Sequence, residues 1–270
     1  MHITLAIMDI NGRFKAEAAS DGEINLVYRG EYEAGDCIRL TVSEPGYLLL
    51  AFDAAIAPSL LFMREREYSY PLPLGQQGQT ISPVAFTGQI HRLFAREASH
   101  EEIVTRRNLA FNPLDTAANN ALYPHASANV ETRGEAAFAA RNAIDGEKAN
   151  TDHGKWPFTS WGINQDPQAE LTIDFGREVS IDELKLYLRA DFPHDAWWKQ
   201  ASVTFSDGST EQLELGKSGS AQRFAVKPRR IEWLKLHDLI KADDPSPFPA
   251  LTQFEAWGTE AMLAPIQSQP

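Results

Sequence analysis

The chain has a single cysteine, Cys37, among its 270 residues, so no intrachain disulfide supports the fold. In the alternating run GDCIRLTV that cysteine reads as a small buried hydrophobe, and a chain without disulfides suits a reducing compartment. Long apolar runs are missing too: nothing approaches the ~20 residues that cross a bilayer. The start, MHITLAIMDINGRF, lacks the basic residues of a secretory leader and reads as a first strand. The expected location is cytoplasmic, or extracellular where a leader has been removed. Positive charge is scarce, 25 Lys and Arg against 37 Asp and Glu, a formal net charge of −12. That balance argues against a nucleic-acid groove or an anionic membrane surface as partner and favours a neutral or cationic ligand. No cysteine pair, His-x₃-His, nucleophile elbow or phosphate loop occurs.

What the chain has in quantity is alternation. HITLAIM, INLVYRG, CIRLTV, YLLLAFD and QIHRLFARE are short runs rich in β-branched, leucine and aromatic residues. DING, SDGE, EAGD and SEPG lie between them and carry the chemistry of tight turns. Strands so spaced imply a small antiparallel sandwich or barrel. The stretch YPLPLGQQGQTISP (70–83) reads as a surface loop. ASHEEIVTRR (98–107) offers a serine N-cap with acidic residues ahead of basic ones, the charge order that suits a short helix. The boundary is placed here, giving a domain of 1–107, a second of 108–260 and a tail of 261–270.

The second half alternates more clearly, in AELTIDFG, IDELKLYLR, ASVTFSDGSTEQLELG, QRFAV, RIEWLKLHDL and LTQFEAWG. SDGS is a hairpin signal, and helical periodicity surfaces only weakly, at AAFAARNAI. The expected fold class is all-β, two sandwiches of antiparallel strands with one face buried and one wet. Leu171, Ile173 and Phe175 are expected to face inward.

In order, NLAFNP, ASANVETRG, AARNAIDGEKANTDHGKWPFTSWG, AELTIDFGREVSIDELKLYLR and FEAWG resemble the discoidin, or coagulation-factor type C, domain. They are nearest to the family-32 carbohydrate-binding modules, which share its galactose-binding-like jelly roll. The similarity covers about residues 108–258. It implies a jelly-roll sandwich with adjacent first and last strands and a lectin-like, non-catalytic role in binding a mono- or oligosaccharide. The fold also carries lipid-binding, protein-binding and purely structural roles. In that family the turn matching AIDGEKANT, with a glutamate of the last strand, often holds a structural calcium ion. The matching positions are the Ala143 carbonyl, Asp145, Thr151, Glu255 and the Ala256 carbonyl. The turn is dense in the oxygen donors a hard cation needs, and it also reads as a plain Asp-Gly turn.

Two loops hold the remaining candidates, TDHGKWPFTSWG (151–162) and RADFPHDAWW (189–198). Sugar recognition needs an aromatic face for C–H stacking and Arg, Asp or His for paired hydrogen bonds to hydroxyls. The expected ligand-binding residues are His153, Trp156, Arg189, Asp191, Phe192, His194, Asp195 and Trp198. Trp161 reads as core, and of the adjacent Trp197 and Trp198 one packs and one is free. Two rival readings stay open: an interaction or assembly module, which includes self-association, and a carbohydrate-active enzyme using the histidines and carboxylates.

Overall fold

Alternation in sequence becomes alternation in burial. In the strand Glu23–Arg29, Ile24, Leu26 and Tyr28 are buried while the residues between them face solvent. The computed structural model describes residues 1–261 apart from Gln76, Pro193 and Asp195. Within it the chain is all-β and antiparallel, as the sequence predicts.

The first unit is a pair of sheets. One sheet runs, in spatial order, Phe14–Asp21, His2–Met8, Cys37–Val42 and Glu67–Pro71. The other runs Leu122–Tyr123, Ser59–Met63, Gly46–Ala51, Ile90–Glu97 and Glu23–Arg29. Their inner faces bury Ile3, Leu5, Ile7, Ile38, Leu40, Leu48 and Leu61 completely. The DING turn forms because Asp9 Oδ1 accepts the N–H groups of Asn11 (2.8 Å) and Arg13 (2.9 Å). The helix His100–Val104 opens on a capping box between Ser99 and Glu102, and Glu102 also pairs with Arg96 at 2.6 Å.

Beyond the helix the chain serves both units. Arg107–Asn108 pairs with Trp257 and Gly258 of the last strand, Ala250–Glu260, so the first and last strands of the second unit are adjacent. Leu109 and Ala110 enter the second core, but Leu114, Ala121 and Leu122 enter the first. Leu122–Tyr123 then adds an edge strand to the first unit by pairing with Ser59–Met63. Buried polar groups hold this crossing passage. The Asn112 amide donates to the carbonyls of Leu122 (3.2 Å) and Pro124 (2.8 Å), and Asp115 accepts from Asn119 (2.7 Å) and from the Ala126 N–H (2.9 Å).

In the second unit the spatial order is Trp161–Gly162, Ala250–Glu260, Leu171–Leu188, Gln222–Lys241, Trp198–Phe205 and Thr210–Glu214. Leu171–Leu188 changes neighbours along its length. Leu171–Asp174 pairs with His125–Ala128, and after a register shift Val179–Leu188 pairs with Ala250–Glu260. Gly176 lies at that shift with φ 68°, where a Cβ would meet the Tyr123 ring at 2.3 Å. The SDGS hairpin closes with Phe205 N–H donating to the Ser209 carbonyl at 2.9 Å. Leu171, Ile173 and Phe175 are fully buried, as is Trp161. At the joint between units, Glu260 accepts from Arg177 (2.7 and 3.0 Å), from the Tyr47 hydroxyl (2.8 Å) and from Arg107.

Candidate functional site

One side chain stitches the two candidate loops together. The Asn150 amide donates to the carbonyls of Leu188 (3.1 Å) and Gly219 (2.6 Å), and the Asn150 carbonyl accepts the Ala190 N–H at 2.7 Å. Asn150 thereby fixes the start of the His153 loop against the end of the strand that delivers Arg189. Arg189 is 5% exposed; its Nη2 donates to the Phe248 carbonyl at 3.1 Å, and its Nε lies 3.3 Å from Asp191 Oδ1. The second Asp191 oxygen accepts from His153 Nδ1.

That chain of contacts sets the chemistry of the histidine. A carboxylate only accepts, so the His153 proton sits on Nδ1 and Nε2 is left as an acceptor. Burial, and then the Arg189 charge, hold the His153 pKa below its ordinary value, so the ring is neutral at pH 7. Arg189 also offsets the Asp191 charge beside that ring. Burial pulls Arg189 itself down to about 10, which leaves it cationic near neutrality.

His153, Arg189 and His194 line an open cavity of about 540 Å³. The facing walls bring Thr132, Phe138, Asn164 and the segment 245–249. Phe248, 44% exposed, lines this cavity and carries its accessible aromatic surface. Asn164 and Gln165 sit at φ 49° and 61°, a left-handed conformation that costs about 1 kcal/mol or more each in non-glycine residues. The Asn164 N–H donates to Thr132 Oγ1 at 2.9 Å, and Gly162 permits that approach, since a Cβ there would meet the same oxygen at 2.6 Å. Ser246 donates its hydroxyl to the His194 carbonyl and ties the proline-rich segment to the loop.

The sequence-predicted residues divide. His153, Arg189 and His194 line the cavity, with Asp191 bonded behind them. Trp198 does not serve as a stacking face: it is 0% exposed, packed in the core against Trp161 at 6.4 Å between ring centroids. It opens a strand whose register shifts between Trp198 and Gln200, so strict alternation is broken there and Trp198 packs inward while Trp197 stays half-buried. Trp156 points away from the cavity, its indole N–H donating to Glu147 at 2.7 Å and its backbone N–H to the Gln79 carbonyl of the first unit. Phe192 lies under the Lys217 ammonium, 4.5 Å from the ring centroid, and does not line the cavity. Asp195 lies outside the described residues. Phe248 was missed, although PSPFP carries the same signal as FPHDAWW, an aromatic in a proline-broken loop between strands.

The calcium positions do not form the arrangement the resemblance implies. Glu255, 2% exposed, is taken by the Lys148 ammonium, by Lys185 at 3.8 Å and by the Trp257 indole N–H at 2.6 Å. Its two lysine partners bring the two positive charges a divalent ion would bring. The Ala256 carbonyl accepts the Leu109 N–H at 2.7 Å. Asp145 accepts from the Glu147 N–H (2.8 Å) and the Thr159 hydroxyl (3.3 Å), and burial pushes its pKa up to about 7. Thr151 is exposed, and Ala143 is buried in the core. A carboxylate already neutralised by ammonium groups is a poor calcium ligand, so these residues do not fit the ion. Among the described residues, Asp152, His153 and Asp191 are the group whose donor atoms fall within 4.8 Å of one another, and there Arg189 already supplies the cation.

No protein-family model matches the chain, and no curated protein matches its sequence. Solved structures similar to it include chitosan-binding module 1 from a Paenibacillus chitosanase/glucanase, at 18% identity and TM-score 0.40 over 57% of this chain and 100% of that one. A fucose-binding module of Streptococcus pneumoniae, SpX-3, is similar at 16% identity and TM-score 0.42, over 57% and 99%. The lectin domain of lectinolysin, complexed with Lewis B antigen, is similar at 16% identity and TM-score 0.42, over 57% and 97%.

Proposed function

We propose that this chain binds carbohydrate without transforming it, at the cavity between the His153 and Arg189 loops and the 245–249 segment. The observation that carries this reading is the pairing, in one open cavity, of an accessible Phe248 ring with a buried, cationic Arg189 and a His153 held in one tautomer. The ring offers a face for the C–H patch of a pyranose. Arg189 donates to hydroxyl oxygens, and His153 Nε2 accepts a hydroxyl proton. Asp191 is spent on Arg189 and His153, so its part is to orient those two groups and not to act as an acid. An open site with one ring and a few hydrogen bonds binds weakly, on the order of 0.1–1 mM or −4 to −5.5 kcal/mol.

A glycan array, followed by calorimetry on the glycans it identifies, tests the reading. Phe248→Ala should weaken binding by ~1 kcal/mol, about fivefold, and His153→Ala by a similar factor, with melting temperatures close to wild type. Failure of the folded protein to bind any glycan on the array removes the proposal.

A further inference from the structure

The cavity does not end at its proline wall. Ile163, Gln165, Pro245, Pro247 and Pro249 line it on one side and line a second cavity, of about 830 Å³, on the other. The second cavity lies against the sheet. Gln200 and Ser202 come from the strand Trp198–Phe205, and Gln212 comes from Thr210–Glu214, directly opposite Ser202 in the register. Period two places Gln200 and Ser202 on this face while Ala201 and Val203, both 0% exposed, point into the core.

The chemistry of this second cavity is neutral. No side-chain hydrogen bond to another described residue engages Gln200, Ser202 or Gln212, so two amides and a hydroxyl face the cavity with their capacity unspent. The two charged residues that line it are of opposite sign: Lys241, which donates to the Ala242 carbonyl at 3.2 Å and to that of Asp244, and Asp238, which lies 3.0 Å from His237. Ile240, 42% exposed, adds an apolar surface beside the amides. Uncharged donors and acceptors next to a small apolar patch match a polyhydroxylated ligand with C–H faces, and they match neither a phosphate nor a charged peptide.

We infer that the two cavities form one groove, in which the second is a subsite for the further units of a neutral oligosaccharide whose first unit sits at His153 and Arg189. This rests on the carbohydrate reading above. The two are separated by calorimetry with L-fucose, D-galactose and N-acetylglucosamine, and with neutral oligosaccharides of two to four units built on each. The expected result is an affinity at least fivefold higher for three units than for the single sugar. Gln200→Ala and Gln212→Ala should remove that gain and leave the single-sugar affinity unchanged. Equal affinity at every length, or an equal loss for the single sugar in the Gln212→Ala protein, overturns the subsite and leaves the first cavity standing. Binding of none of these probes overturns the groove altogether.

Discussion

At the scale of single residues the site turns on where protons and rings can go. His153 must be neutral for Nε2 to accept, and its folded pKa lies below the ordinary histidine value. Sugar affinity should therefore be flat from pH 8 to about 6.5 and fall in more acid solution as the ring gains a second proton. Calorimetry at pH 5, 6, 7 and 8 checks this, and an affinity that climbs in acid would contradict it. Trp198, fully buried, contributes to stability. Trp198→Ala should cost about 3–5 kcal/mol in denaturant unfolding, because it empties a fully buried site beside Trp161. The sequence distinguished these roles only in part. An aromatic in a proline-broken loop is visible as a signal, but whether it lies one residue inside a strand, as Trp198 does, depends on where that strand begins. Arg189, Asp191 and His153 were legible because polar groups of three kinds crowd two short loops. The Asn150 bridge that brings the loops together depends on tertiary geometry that spacing does not reveal.

At the scale of elements, alternation was a reliable guide wherever one face meets a core and the other meets water. The alternating runs appear as strands, SDGS closes its hairpin, and the Ser99 cap starts its helix. The 18-residue Leu171–Leu188 and the 20-residue Gln222–Lys241 were harder to foresee, since a strand that keeps going through a register shift looks in sequence like two. The last strand also shows why ligand type cannot be carried over by position alone. Glu255 sits beside the AIDG turn as expected, yet Lys148, one residue past Glu147 in that turn, reaches it first. Treatment with a chelator should leave the melting temperature unchanged. Lys148→Met should lower stability by about 1–2 kcal/mol, a value reduced from that of a buried ion pair because the ammonium is half exposed and Lys185 remains. A chelator-induced drop in melting temperature would restore the calcium reading.

At the scale of the whole molecule, the two units share more than a linker. Burying Leu114 and Leu122 is worth roughly 1.5–3 kcal/mol each, a large share of the ~5–15 kcal/mol that holds a domain together. Both lie past residue 107 and both pack in the first core. A fragment ending at residue 107 should therefore lose cooperative thermal unfolding by circular dichroism, whereas the full chain unfolds in a sharp transition; a sharp melt from the fragment would show that the shared passage is dispensable. The shared passage also imposes a schedule on biosynthesis. A ribosome makes the chain in order, so the first unit stays unfinished until Leu122 has emerged, and the joint between units stays open until Glu260 arrives to meet Arg107, Arg177 and Tyr47. A nascent chain broken off just short of Glu260 carries Arg107 and Arg177, largely buried in the finished protein, without the carboxylate that answers them. Such a product is poorly closed at the joint and open to proteases.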